Sequence, residues 1–194
     1  MAAADLEPTT PTLSTVSAPA RVVTRTFLAL VVFPLLVALG AALRVDTPFG
    51  VPVTLQTLFV LASGAVLGEA FGPLSMAAYL AYGMLGLPLF ARGSGHGFDY
   101  LFGATGGYLL ALPLASWLAA RLCARPAVAS RATLRFAALF ACGALIVACG
   151  GVFRIVIHHA APSSELPIAF FFLAVEATKS AALTPVLPAL RRLF

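Results

Sequence analysis

The chain has 194 residues, enough for one modest domain, yet 61% are apolar, only 10% are charged and the mean hydropathy is +1.01. Soluble domains run at about a quarter charged and half apolar, so a water-soluble fold is excluded and the bilayer must be the solvent. The net charge of +5 does not point to nucleic acid, because the arginines punctuate long uncharged stretches instead of clustering on a polar surface.

In chain order, residues 1–20 are rich in Ala, Thr, Ser and Pro with Asp5 and Glu7, which predicts a disordered cytoplasmic tail. A signal peptide is the weaker reading. Val37 to Ala41 resembles a cleavage site, but the apolar run is long enough to span and the tail lacks a basic start. Uncharged runs follow at 26–43, 47–68, 70–91, 100–120 and 136–153. A last apolar run at 166–190 carries just Glu176 and Lys179. A helix needs about 20 apolar residues to cross the hydrocarbon core, and none of the runs alternates as a barrel strand does. The expected fold is therefore all-α and integral to the membrane, with six transmembrane helices in a single substrate-binding domain over residues 21–194.

With six spans both termini share a side. That side collects Arg21, Arg25, Arg121, Arg125, Arg131, Arg135, Arg191 and Arg192, against Arg44, Arg92 and Arg154 on the other. The termini are expected to be cytoplasmic, in the inner (plasma) membrane. Cys123, Cys142 and Cys149 have no metal-ligand spacing and read as small apolar residues; no metal or cofactor is expected.

Glu176 and Lys179 are the charges that need explaining. A charge inside a span is costly and usually functional, and i, i+3 spacing puts both on one helix face. Either they form an ion pair that locks the last helix in place, or they hydrogen-bond a substrate in a dry cavity. The glycine-rich stretches Arg92–Gly97 and Gly103–Tyr108 allow close backbone approach, to a ligand or to a neighbouring helix. Gly64, Gly68 and Gly72 recur every four residues, as do Ala38 and Ala42, which suits helix packing within the chain or against a partner. Pro34 and Pro113 are expected to kink their spans. His158 and His159 suit an interfacial role.

An enzyme is not expected. Ser94 has glycines nearby, but Arg92 stands where an intramembrane serine protease of the rhomboid type has glycine, and no base is placed to activate the hydroxyl. No paired histidines or carboxylates suggest a metalloprotease or aspartyl protease.

Three stretches resemble BioY, the biotin-binding S-component of energy-coupling-factor (ECF) transporters. Val51-Pro52-Val53-Thr54-Leu55-Gln56-Thr57-Leu58-Phe59-Val60 is similar to that family's PVTLQTLFV. Gly86-Leu87-Pro88-Leu89-Phe90-Ala91 and Gly103-Ala104-Thr105-Gly106-Gly107-Tyr108-Leu109 look like its GLPVFA and GPTGGYL. Glu176-Ala177-Thr178-Lys179 is similar to its D-x-x-K. The resemblance implies a six-helix S-component fold that binds biotin near the outer face. It also implies partnership with a transmembrane coupling protein and two ATPase subunits. Glu176 and Lys179 take the family's ligand-contacting positions; Gln56, Thr105, Gly106, Gly107 and Tyr108 lie in the matching motifs. Ala38 and Ala42 fall where the family's first helix meets the coupling protein. Arg92 is placed, by topology, to meet the biotin carboxylate.

Two positions depart from the pattern. Ala104 replaces a proline, and Glu176 replaces aspartate with a side chain one methylene longer. A different vitamin is the first alternative. A purely structural membrane protein is the second, and a proton-coupled carrier the third.

Overall fold

The computed structural model describes residues 18–91 and 97–193. Residues 1–17 of the expected 1–20 tail, and Arg92 with the rest of the 92–96 stretch, lie outside the described residues; residues 18–20 open the first helix. The helices are α1 (Ala18–Phe27), a π-helical turn (Leu28–Val32), α2 (Phe33–Ala42), α3 (Gln56–Met84), α4 (Gly97–Phe102), α5 (Gly106–Leu110), α6 (Leu112–Cys123), α7 (Pro126–Ser130), α8 (Ala132–Ile157) and α9 (Pro162–Leu193). Two short strands, β1 (Arg44–Val45) and β2 (Val53–Thr54), pair antiparallel with Arg44 opposite Thr54. Five stretches among the described residues are long and apolar enough to cross a membrane: Val22–Ala42, Gln56–Met84, Gly106–Cys123, Ala132–Ile157 and Pro162–Arg192.

The continuous element α3 is interrupted at Gly68. Its φ of 85° and ψ of −174° interrupt α3, a conformation open to glycine and strained for residues with a Cβ. The chain doubles back there. The Gln56 amide reaches the Tyr79 hydroxyl at 3.4 Å, although a straight helix would hold residues this far apart at about 35 Å. A Cβ on Gly72 would stand 2.7 Å from the Cα of Gly64. Gly64 and Gly72 thus let the two arms of α3, residues 56–67 and 69–84, close on each other and on Ser116 of α6. Gly68 does not join them on a helical face; it is the turn.

Pro34 and Pro113 both sit at local breaks. Pro34 lies in the first turn of α2, directly after the π-helical turn, and Pro113 lies in the first turn of α6 after the break at Ala111. A proline in a first turn lacks an N–H that would find no helical partner there anyway. The second expected run, 47–68, is helical only from Gln56; the residues before it form a loop and β2, because Pro48, Gly50 and Pro52 break helical geometry. The fourth, 100–120, is divided among α4, α5 and α6.

The core runs through the middle of the bundle, with Val60, Leu61, Tyr79, Leu112, Leu139 and Leu187 almost fully buried. Phe27, Val31, Leu35, Leu39 and Leu43 form an exposed apolar stripe along the first span, spaced every four residues, as a lipid-facing side requires. Arg25 and Arg191 border one recess, so the first helix begins and the last helix ends at the same end of the bundle. The β1–β2 loop lies at the opposite end.

Candidate functional site

A cavity opens at the end that carries the β1–β2 loop. It is walled by the β1–β2 loop, α3, α5, α8 and α9. Each wall is placed by a recognisable local device. The β1–β2 pair and the Thr47 hydroxyl, which donates to the Val51 carbonyl at 2.6 Å, fold the loop so that Val51 and Pro52 face inward. Leu55 precedes the first turn of α3, which presents Gln56 and Thr57. The start of α5 delivers Thr105 and Tyr108, α8 delivers Ile146 and Val147, and α9 delivers Phe172, Glu176 and Lys179 at i, i+4 and i+7 on one face.

The polar floor is a closed triangle. Lys179 Nζ donates to Glu176 Oε1 at 2.7 Å and to Thr57 Oγ1 at 2.8 Å, while the Thr57 hydroxyl donates to the same Glu176 Oε1 at 2.9 Å. Glu176 and Lys179 are 2% and 8% exposed, so the pair could exist in an apolar medium only with such mutual satisfaction. Lys179 is the sole lysine of the chain; the other cationic side chains are arginines. Glu176 Oε2 is buried with no partner among the described residues and faces Gly143, where a Cβ would stand 2.8 Å from it. Gly143 therefore makes room on α8 for the extra methylene of a glutamate.

Two aromatic rows flank this floor. Tyr79, Phe90 and Tyr100 follow one another at centroid distances of 5.6 and 5.1 Å. Phe49, Phe171, Phe172 and Tyr108 form the other, at 5.8, 5.4 and 6.0 Å. Arg154 fastens the mouth: its Nε donates to Glu165 Oε1 at 2.9 Å and its Nη1 to the Phe49 carbonyl at 3.3 Å. The Arg44 guanidinium donates to the carbonyl of Ala91, another wall residue. The arrangement offers buried donors and acceptors at one end of an otherwise apolar pocket. Such an arrangement suits a ligand with a polar head and an apolar body.

Of the residues expected at a site, the structure brings together Gln56, Thr105, Tyr108, Glu176 and Lys179. It does not put Gly106 and Gly107 on the wall. They are buried where α5 crosses α8, and a Cβ there would run into Leu101 and Phe153, so close helix packing explains these glycines. Ala38 is half-buried against the core and Ala42 is exposed, while Gly40 makes the close approach to α3 near Gln56 and Phe59. Thr57, Phe172 and the Arg154–Glu165 pair were not singled out from sequence. The lone lysine was the available signal for Lys179. Nothing in spacing marks Thr57 as the partner of two residues more than a hundred positions away.

Comparison with known proteins agrees with this geometry. The BioY family model matches residues 10–194. A Pyrococcus horikoshii protein named "Probable biotin transporter BioY" is 44% identical over 87 residues, 45% of this chain and 52% of that protein. The Thermotoga maritima "Biotin transporter BioY" is 42% identical over 88 residues, 45% of this chain and 50% of that one. These matches span about half the length of the curated relatives. A crystal structure of the S-component for biotin from an ECF-type ABC transporter shares the fold, with a TM-score of 0.76 at 19% identity over 92% of this chain and 95% of that one.

Proposed function

The chain belongs to the BioY family, and from that premise we propose that it is a membrane substrate-binding subunit that captures biotin at the outer face for uptake. The observation that carries the proposal is the buried Thr57–Glu176–Lys179 floor at one end of an apolar cavity. Biotin brings a rigid ureido ring with two N–H donors and one carbonyl, then a flexible chain ending in carboxylate. Lys179 donates to the ureido oxygen, and Glu176 accepts a ureido N–H. Gln56, Thr105 and Tyr108 line the body of the pocket. Arg92, by its place in the sequence between the third and fourth apolar runs, is the residue proposed to meet the carboxylate.

The same proposal covers topology and partners. The two arms of α3 each cross the membrane, giving six crossings with both termini cytoplasmic. The arginine bias supports that orientation. Ala38 and Ala42 meet a transmembrane coupling protein whose ATPase subunits supply energy, since this chain carries no P-loop sequence. The N-terminal segment ahead of the first span faces the cytoplasm in this proposal.

Equilibrium binding of labelled biotin to the purified chain in detergent tests the function. Lys179→Ala runs beside it, with a folding check on both. Tight binding by wild type and its loss in a folded Lys179→Ala variant is the expected result. If Lys179→Ala binds as tightly as wild type, the site assignment is wrong. If folded wild type binds no biotin but binds another vitamin in a competition panel, the ligand is wrong and the S-component reading stands.

A further inference from the structure

We propose that Thr57 is a positioning and specificity-determining residue that fixes how many donors Lys179 presents to a ligand, an inference that rests on the biotin reading above. An ammonium group has three N–H donors. One goes to Glu176 Oε1 at 2.7 Å and one to Thr57 Oγ1 at 2.8 Å. A single donor is left for the cavity, which matches one carbonyl acceptor and no more. Thr57 can accept from Lys179 because its own hydrogen is already directed to Glu176 Oε1, at 2.9 Å. The role therefore needs a group that donates and accepts at once.

The position matters as much as the count. Glu176 and Lys179 share α9, whereas Thr57 stands in the first turn of α3 on another wall. An i, i+3 pair alone leaves a flexible lysine free to swing about its carboxylate. A third contact from a second helix gives the ammonium one direction. With valine at position 57, the ammonium keeps Glu176 but carries two uncommitted N–H groups. A ligand with one acceptor then leaves a buried donor unpaired, which costs affinity. The ligand class favoured by the native triangle is a neutral cyclic urea or amide, over a ring that offers a donor at the same point.

The test uses the full chain in detergent as wild type, Thr57→Val, Thr57→Ser and Thr57→Ala, the last adding no bulk should valine disturb folding. Binding of biotin, desthiobiotin and 2-iminobiotin is measured for each; the second keeps the urea carbonyl and the third replaces it with C=NH. Thr57→Val and Thr57→Ala are expected to weaken biotin and desthiobiotin about tenfold or more, and Thr57→Ser by less than about threefold. The preference for biotin over 2-iminobiotin should narrow in the first two variants. Equal losses of all three ligands, or equal losses with serine and valine, would show a packing role and overturn the proposal.

A folded wild type that binds no biotin would overturn the functional reading instead. Thr57 is then judged by acetylation of Lys179, the chain's sole lysine, followed by peptide mass spectrometry. The amine released from one acceptor should react severalfold faster in Thr57→Val than in wild type and Thr57→Ser. Equal rates would overturn the proposal.

Discussion

The two ends of the bundle solve opposite problems with the same materials. At the cavity end, large side chains such as Phe172, Tyr100 and Tyr108 line a cleft, and the polar groups meet on its floor. At the terminal end, small residues remove space. Gly64 and Gly72 bring both arms of α3 against α6, and the hydroxyls of Ser63 and Ser116 meet at 2.9 Å. Without a hydrophobic force between helices in lipid, close packing and internal hydrogen bonds hold a bundle together. The difference teaches that one end is built for close helix contact and the other for presenting polar groups to a cleft. Substitutions at the cavity end should change ligand binding more than stability, and those at the terminal end the reverse.

The largest expected effect is at Lys179. Lys179→Ala removes the ammonium donor from the floor and leaves buried Glu176 with Thr57 as its partner among the described residues. Biotin affinity should fall by about a hundredfold or more, since a charged hydrogen bond and its buried partner are lost together. Glu176→Gln combined with Lys179→Met separates the two causes. It neutralises the pair, so thermal stability should return towards wild type while binding stays lost. Recovery of binding in that double variant would break the contrast between the ends.

Gly64→Ala is the counterpart at the terminal end. The added methyl would stand 2.7 Å from the Ser116 carbonyl carbon, and backbone has little freedom to retreat. A loss of about 2–3 kcal/mol is expected, read as a lower melting temperature in detergent. The affinity of the remaining folded fraction should be unchanged.

How much of this was legible in the sequence follows the same division. Long uncharged runs pointed to the membrane and to a mostly helical fold, because the cost of charge in lipid acts on each residue separately, but they did not show the short β1–β2 pair. Apolar runs that end at 68 and restart at 70 place a turn beside Gly68, but its four-residue spacing from Gly64 and Gly72 says nothing of the positive φ that makes it. The recognisable motifs located Gln56, Thr105, Tyr108, Glu176 and Lys179 on the cavity wall. They also suggested Gly106 and Gly107, where glycine serves close packing on Phe153. Arg154 counted only as a charge on one side of the membrane. Its pairing with Glu165 and with the Phe49 carbonyl depends on how loop and helices meet, which spacing does not encode.

Arg191 sharpens the comparison from the terminal end. Its Nε and Nη1 donate to the carbonyls of Ala65 and Cys123, both at 2.8 Å. Those carbonyls lie in the last turn of the first α3 arm and at the end of α6, where helices leave acceptors unpaired. One guanidinium thus ties the ends of two helices to α9. Arg191→Ala should cost about 1.5–3 kcal/mol, because hydrogen bonds from a charged donor are lost. Biotin affinity should stay within about threefold, since the carbonyls it serves are remote from the floor.

The smallest expected effect lies where the first span bends. Pro34 has no N–H, so the Leu30 carbonyl four residues earlier loses its ordinary α-helical donor. Tyr82, on the second arm of α3, donates its hydroxyl to that carbonyl at 2.9 Å. The π-helical turn at Leu28–Val32 is thereby held by a neighbouring helix. Tyr82→Phe should lower stability by about 1 kcal/mol, a shift of roughly 2–4 °C in melting temperature for a chain of this size. Biotin affinity should not move. Pro34→Ala gives the helix its missing donor, so in that background the hydroxyl of Tyr82 has little left to satisfy and Tyr82→Phe should become nearly silent. If the two substitutions simply add, the tyrosine supports the bend by packing and the hydrogen bond contributes nothing measurable.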